Sequence, residues 1–229
     1  MRFPSIALMA APLLLTAFST AQAADPAVAA MTQAQKYSYV QGYRLAQALK
    51  QRAPDLDTDA FVQAVRDGLS GQASALTPEQ TQAVIDEQKR IMTNEANTRA
   101  QANQAEGKAF MAENKKKQGV QELLSGVQYE VLKAGNGKTA TAEDKVTLHY
   151  EGKLLNGTVF DSSYARGAPA TFGVSQVVPG FSEALRSMKE GDVWRVVIPG
   201  HLAYGRQGAG GKIGPNQTLV FKIELIKVN

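Results

Sequence analysis

The sequence predicts an α+β protein: an all-helical N-terminal domain with a long arm helix, then a curved antiparallel β-sheet wrapped around one short helix. Two observations support this prediction. Near Gly119 the composition changes from a segment rich in Ala and Gln to one rich in Val, Gly and aromatic residues. The first segment has apolar residues at helical spacing, and the second alternates as strands do. We therefore expect two domains, at 24–118 and 119–229.

The composition limits the classes of function. Of 229 residues, 44% are hydrophobic and 20% are charged, as in a soluble globular protein. A net charge of +4 is too small to favour a nucleic-acid partner. The chain has no cysteine, so no disulfide can form. Its two histidines, His149 and His201, have no third ligand in view, so we expect no metal and no cofactor.

The first 23 residues have the pattern of a signal peptide. Arg2 supplies the positive start, an apolar run extends from Ile6 to Phe18, and Ala21-Gln22-Ala23 is a small-x-small cleavage site. The run is short for a bilayer span, although an uncleaved anchor is the alternative. The prediction is export to the periplasm, with outer-membrane or surface association also possible.

Two short helices are predicted first in the helical domain. One covers Thr32 to Lys50, and Pro54 prevents it from continuing. The second begins after a capping residue, Asp57, and ends at Gly71. Its apolar face consists of residues at i, i+4 and i+8: Phe61, Val65 and Leu69.

A long third helix follows. Thr77-Pro78-Glu79-Gln80 is a helix start with a capping hydroxyl, a proline in the first turn and a glutamine three residues after the cap. The helical pattern persists to about Lys117, which corresponds to about 60 Å. Between Thr93 and Ala109 its only apolar side chains are alanines, so we expect a solvated arm that holds two modules apart, with a bend or loosening at Gly107.

The short helices need a partner for their apolar faces, because they are too small to form a core alone. A second copy of the chain is the simplest partner, so the sequence predicts a homodimer through 24–118. The alternative is a compact monomeric helical hairpin.

Four strands and one helix are predicted in the second domain. Alternating apolar residues indicate the strands, and Asn156-Gly157 is a hairpin turn. The helix at 179–188 has one apolar face, around which the sheet must curve. The predicted strands are 127–132, 145–155, 193–198 and 218–228.

Aromatic residues recur beside Gly and Pro turns in this domain, with a lone Asp161 and a lone Arg166 among them. The segment holds no nucleophile–base pair, and Gly208 to Lys212 lacks the Ser or Thr that a phosphate loop carries after its lysine. The pattern predicts an apolar pocket whose chemistry is a change of shape. Trp194 shares a strand face with Val196 and Ile198 and is predicted to be core. The pocket candidates are Tyr150, Phe160, Phe172, Phe181, Tyr204 and Phe221.

Five motifs follow one another in the order and spacing of a known family. They are VTLHYEG from Val146, GTVFDSS from Gly157, VVPGF from Val177, AYG from Ala203 and LVFKIEL from Leu219. The segment 119–229 resembles an FKBP-type peptidyl-prolyl cis-trans isomerase domain. The segment 24–118 resembles the N-terminal dimerisation domain of the bacterial Mip/FkpA-like subgroup.

The resemblance implies roles for particular residues. Tyr204 would donate a hydrogen bond to a substrate carbonyl, Asp161 would lie near the twisting carbonyl, and the Val178 N–H would hold the substrate. The implied catalytic residues are Tyr150, Phe160, Asp161 and Tyr204. The implied substrate-binding residues are Arg166, Phe172, Val177, Val178, Phe181, Ile213 and Phe221. The loop with Ala209 and Lys212 departs from the family pattern, which affects substrate preference more than the reaction.

The resemblance also implies a function. We expect an isomerase that assists folding of exported proteins, with chaperone activity and no covalent chemistry. Its partners would be proline-containing unfolded proteins, and FK506-type macrolides would inhibit it. Two alternatives remain: a dimeric holdase chaperone, and a surface interaction factor of the virulence type with a secondary isomerase role.

Overall fold

The computed structural model describes residues 26–53 and 55–229. The predicted signal peptide and the predicted helix stop at Pro54 lie outside the described residues. The chain divides into two compact units, one ending at Ala75 and one covering Leu76–Asn229. The division at 118/119 was inferred from composition rather than from contacts, and it stays a prediction.

The first unit contains the two predicted short helices and one additional helical turn. The turn is α1 (Pro26–Ala29), followed by α2 (Gln33–Arg52) and α3 (Thr58–Leu69). Thr32 caps α2 in a capping box with Gln35, and the Asp57 carboxylate accepts a hydrogen bond from the Ala60 N–H at 2.9 Å. No described side chain of α2 or α3 is buried.

The long helix α4 (Pro78–Asn114) opens the second unit. Thr77 and Gln80 form the predicted capping box, and Pro78 occupies the first turn. Every residue of α4 before Asn97 is exposed. The long helix is therefore confirmed, and its first half has the solvated character that the sequence predicts.

The second half of α4 differs from the prediction. From Asn97 onward, residues at spacings of three or four are partly or fully buried, and Ala100, Gly107 and Asn114 are fully buried. The Asn114 side chain donates to Gln128 Oε1 at 3.0 Å and accepts from Arg195 Nη1 at 3.1 Å. The expectation of a solvated arm over this half is wrong. The fully buried residues are small or carry an amide, so they give no hydrophobic pattern in the sequence, and Phe110 and Met111 are partly buried as well.

Gly107 does not interrupt the helix. The helix is continuous from Pro78 to Asn114, and a Cβ atom at position 107 would lie 2.1 Å from Thr218 Oγ1. The glycine therefore allows the helix backbone to approach the sheet closely.

Seven antiparallel strands form one sheet. They are β1 (Val120–Glu122), β2 (Gln128–Lys133), β3 (Lys145–Leu154), β4 (Val159–Ser162), β5 (Ala170–Gly173), β6 (Val193–Ile198) and β7 (Leu219–Val228). Their order in the sheet is β1-β2-β6-β7-β3-β4, with β5 paired to β3. The four predicted strands are present, and the short β1, β4 and β5 are additional.

The core lies between this sheet and helix α5 (Pro179–Ser187), which corresponds to the predicted short helix. Its buried face carries Phe181, Ala184 and Leu185, and Met188 at the cap is also buried. Trp194 belongs to the same core and stacks on Tyr129 with 4.2 Å between ring centroids. The predicted core role of Trp194 is confirmed.

Candidate active site

A cavity of about 260 Å³ opens in the second unit beside helix α5. Its lining comes from strands β3, β4, β5 and β7, from the N-terminal end of α5 and the turn before it, and from the loop after β6. Nine of the eleven predicted site residues line this cavity. They are Tyr150, Phe160, Asp161, Phe172, Val177, Val178, Phe181, Tyr204 and Phe221.

Five aromatic rings around the cavity pack edge to face. The ring centroids of Phe181 and Phe221 are 5.0 Å apart, and those of Phe160 and Phe221 are 5.6 Å apart. Tyr150 contacts Phe172 at 5.7 Å and Phe181 at 6.3 Å in the same manner. Because each ring contacts at least one other, the apolar surface is fixed in shape before any ligand arrives.

Gly152 makes room for this ring cluster. It pairs with Phe221 across β3 and β7 and with Asp161 across β3 and β4. A Cβ atom at position 152 would lie 2.4 Å from Phe160 Cζ and 2.8 Å from Phe221 Cε1. The absent side chain lets these two phenylalanines meet over the strand.

Asp161 is held by two neighbours. The Tyr150 hydroxyl and the Arg166 guanidinium both donate hydrogen bonds to its carboxylate. Arg166 Nη2 also donates to Tyr150 Oη at 2.9 Å, and the guanidinium lies 5.5 Å from the Tyr150 ring centroid. Arg166 is not part of the cavity wall; it fixes two residues that are.

The protonation states in this group follow from its contacts. Partial burial opposes ionisation of Asp161, but hydrogen bonds from Tyr150 and Arg166 outweigh it, and the pKa of Asp161 is below its ordinary value. Burial and the hydrogen bond to Asp161 raise the pKa of Tyr150 above its ordinary value. At neutral pH the carboxyl is therefore ionised and the phenol protonated, so neither group is poised to transfer a proton.

Two donors remain free to bind a ligand. Among the described residues, no group accepts a hydrogen bond from the Tyr204 hydroxyl or from the Val178 N–H. Tyr204 is 40% exposed, and burial together with the charge of Asp161 raises the pKa of its phenol. Both groups are at the cavity wall, and both can donate to a carbonyl oxygen inside it.

One sequence expectation and one omission concern residues near the cavity. Ile213 is only 7% exposed and packs in the core, outside the cavity lining. Gln176 lines the cavity, although the sequence analysis did not select it. It is a polar residue in a turn, where periodicity gives no signal; its position immediately before Val177 was the available clue.

Other reaction chemistries find little support in the described part of the chain. Within it, no three His, Cys, Asp or Glu side chains are grouped so as to hold a metal ion. His149 Nδ1 lies 3.0 Å from Ser163 Oγ, and its ring stacks on Tyr164 with 4.7 Å between centroids. None of the described helices has the length and apolar character needed to cross a membrane.

Comparison with known protein families gives two matches that together cover most of the chain. Residues 136–226 match the family model for FKBP-type peptidyl-prolyl cis-trans isomerase. Residues 34–131 match the model for the domain amino terminal to FKBP-type peptidyl-prolyl isomerase.

Individual proteins are similar over nearly the full length. Outer membrane protein MIP of Legionella longbeachae is 44% identical over 225 residues, covering 96% of this chain and 97% of its own. Peptidyl-prolyl cis-trans isomerase Mip of Coxiella burnetii is 41% identical, with 92% of each chain covered. The crystal structure of FkpA from Escherichia coli matches with a TM-score of 0.63 at 32% identity, covering 86% of this chain and 97% of that one.

Proposed function

Because the chain belongs to the family of FKBP-type peptidyl-prolyl cis-trans isomerases, we propose that its cavity binds a proline side chain and lowers the barrier to rotation of the preceding amide. The barrier for an unassisted peptide bond is about 18–20 kcal/mol, since rotation breaks the conjugation of the amide. The uncatalysed X–Pro reaction takes about 10–100 s at 25 °C. No bond is made or broken, so no nucleophile or general base is required.

The aromatic surface favours the twisted amide. A planar amide is polar and well hydrated, whereas the twisted amide has lost part of its conjugation and is less polar. An apolar cavity therefore stabilises the twisted form more than the planar one, which is the condition for catalysis. The edge-to-face packing around Phe181 keeps this surface in place without reorganisation.

The two free donors orient the substrate. The Val178 N–H holds a backbone carbonyl, and the Tyr204 hydroxyl donates to a second one, so that the proline ring enters the cavity. The ionised Asp161 lies beside the rotating carbonyl; Arg166 and Tyr150 keep it charged and fixed. The proposal rests on one observation: the same cavity is lined by apolar rings, by two free hydrogen-bond donors and by a carboxylate that Tyr150 and Arg166 hold in place.

A proline-limited peptide assay tests this assignment. We expect Tyr204→Phe and Asp161→Asn each to lower kcat/KM by roughly three- to tenfold, since one hydrogen bond contributes about 1 kcal/mol net. Tyr164→Phe is the matched control, because this tyrosine lies outside the cavity. Equal rates for all four proteins would instead favour the holdase, whose pocket would be vestigial.

The helical unit acts as a dimerisation module in this proposal. Helices α2 and α3 line an apolar cavity of about 450 Å³, and large apolar side chains such as Leu69, which is 86% exposed, have no cover. Tyr39 and Tyr43 stack on the surface of α2 with 6.2 Å between centroids. Because no described side chain of α2 or α3 is buried, these helices need a second copy of the chain to be stable. Sedimentation equilibrium of the full chain at micromolar concentration should give twice the monomer mass, whereas a monomer mass would contradict the module.

The cellular role follows from the N-terminal pattern and from the relatives. The predicted signal peptide directs the protein out of the cytoplasm, and one relative is named an outer membrane protein. Its clients are proline-containing exported chains that are not yet folded, and a pair of such domains could hold one client as a chaperone does. Resistance of the protein in intact cells to added protease would support a periplasmic location, and cleavage would favour the surface factor.

A further inference from the structure

We propose that the second half of helix α4 belongs to the catalytic machinery: Asn97 and Asn103 are positioning residues for the loop that carries Tyr204. This proposal rests on the isomerase function proposed above. Helix α4 and the loop lie in the same compact unit, Leu76–Asn229.

The loop from Tyr204 to Gln217 is closed on itself. At its base, the Asn216 N–H donates to the Gly205 carbonyl at 2.7 Å. Near its tip, Ala209 and Ile213 exchange backbone hydrogen bonds of 2.9 and 3.0 Å. These hydrogen bonds connect the two sides of the loop, so the loop should move as a unit. The position of its base therefore determines the position of Tyr204.

Helix α4 holds both sides of that base. Asn103 Nδ2 donates to the Pro215 carbonyl at 2.8 Å, and Arg206 Nη2 donates to Asn97 Oδ1. Arg206 is two residues beyond Tyr204 on the outgoing side, and Pro215 lies on the returning side. The two amide side chains are six positions apart along the same helix, so they act as two fixed points on one rigid rod.

The backbone at the base is restrained as well. Asn216 is the non-glycine residue of the described chain with a positive φ, of 53°, a conformation that needs support from its surroundings. Two residues further on, Thr218 lies against Gly107 of α4, where a Cβ atom would come within 2.1 Å of its hydroxyl. The distance between helix and loop is therefore fixed by contact as well as by hydrogen bonds.

Tyr204 depends on this support. Its hydroxyl has no hydrogen-bond acceptor among the described residues, and 40% of the side chain is exposed. No side-chain hydrogen bond within the described part of the chain holds the hydroxyl in place, so the loop backbone sets its distance from the cavity. Removing the helix contacts would let the loop drift, and a misplaced donor loses much of its effect on the transition state.

The test uses the full-length protein with Asn97→Ala, Asn103→Ala and the double variant. Gln101→Ala is the matched control, since Gln101 is an exposed amide on the same helix. We expect the double variant to lower kcat/KM about fivefold, while Gln101→Ala matches the wild type. Asn103→Asp is expected to behave like Asn103→Ala, because the carboxylate has the same shape but cannot donate to Pro215.

A double-mutant cycle separates positioning from a general structural effect. If the asparagines act through the Tyr204 hydroxyl, their effect on kcat/KM should largely disappear in a Tyr204→Phe background. The same fivefold loss in both backgrounds, or no loss in the wild-type background, would overturn the proposal.

Hydrogen exchange of the loop amides gives a second readout that does not need activity. Exchange at 204–217 should be faster in the double variant than in wild type and Gln101→Ala, and unchanged exchange would overturn the proposal. If the wild-type protein has no isomerase activity, the proposed function is refuted. Faster exchange at 204–217 in the double variant would then still support the contact between helix and loop.

Discussion

Replacing Gly107 by alanine tests how closely helix α4 approaches the sheet. In an exposed helix interior, Gly→Ala stabilises by about 1 kcal/mol, because glycine has the larger conformational freedom in the unfolded chain. At position 107 the new Cβ would lie 2.1 Å from Thr218 Oγ1 and 3.1 Å from Thr218 Cβ. Overpacking of this kind costs about 1–3 kcal/mol.

The gain in helix propensity and the cost of overpacking oppose each other, and the overlap with Thr218 is large enough for the cost to exceed the gain. A contact of 2.1 Å is far below any real Cβ distance, and the Thr218 hydroxyl sits on a residue that is only 4% exposed. We therefore expect Gly107→Ala to lower the free energy of unfolding by about 1 kcal/mol or more. In a Thr218→Ala background the hydroxyl is gone, and the same substitution should be close to neutral or stabilising.

Urea unfolding followed by tryptophan fluorescence is the assay. Trp194 is the single tryptophan of the chain and lies in the core of the second unit, so its signal reports on that unit. Ala105→Gly on the exposed side of α4 calibrates the helix propensity in this context, with an expected loss of about 1 kcal/mol. A Gly107→Ala protein at least as stable as the wild type would refute the close approach.

Three further predictions concern the active-site domain. Asp161→Asn should remove an acid limb of the pH–activity profile: because the pKa of Asp161 is below its ordinary value in the folded protein, wild-type activity should persist down to about pH 4 and fall only as the pH drops through this lowered pKa. Gly152→Ala should lower macrolide affinity at least tenfold, as judged by calorimetry, because its Cβ would displace Phe160; unchanged affinity would contradict the packing. Burial and the hydrogen bond to Glu224 raise the pKa of Tyr164 to about 12. Ultraviolet titration should therefore show one tyrosine that ionises only near this pH, and Tyr164→Phe should remove that step.

The sequence was most informative where local chemistry decides the structure. The capping residues Asp57 and Thr77 predicted two helix starts, because a side-chain oxygen at that position satisfies an N–H whatever the tertiary contacts are. The resemblance to the FKBP family implied nine residues that line one cavity. Strand alternation alone could not have selected them, because Phe160 and Asp161 are neighbours on one strand.

The sequence was least informative where polar contacts replace apolar ones. The fully buried residues of α4 are an alanine, a glycine and an asparagine, which form no hydrophobic periodicity, so the sequence indicated a solvated helix. Strands β1, β4 and β5 have only three or four residues, too few for alternation to show. Ile213 is an apolar residue in the loop that follows Tyr204. The backbone hydrogen bonds between Ala209 and Ile213 close this loop, and the Ile213 side chain packs in the core.

The pairing of Asp161 with Arg166 has a consequence for the way clients arrive. One negative and one positive side chain in direct contact cancel at a distance, so this pair adds little net field at the mouth of the cavity. The carboxylate inside the site therefore does not by itself steer diffusional encounter, and it adds little to the dependence of the association rate on ionic strength. A site of this kind meets acidic and basic chains with equal ease, which suits an enzyme whose clients share a proline and little else.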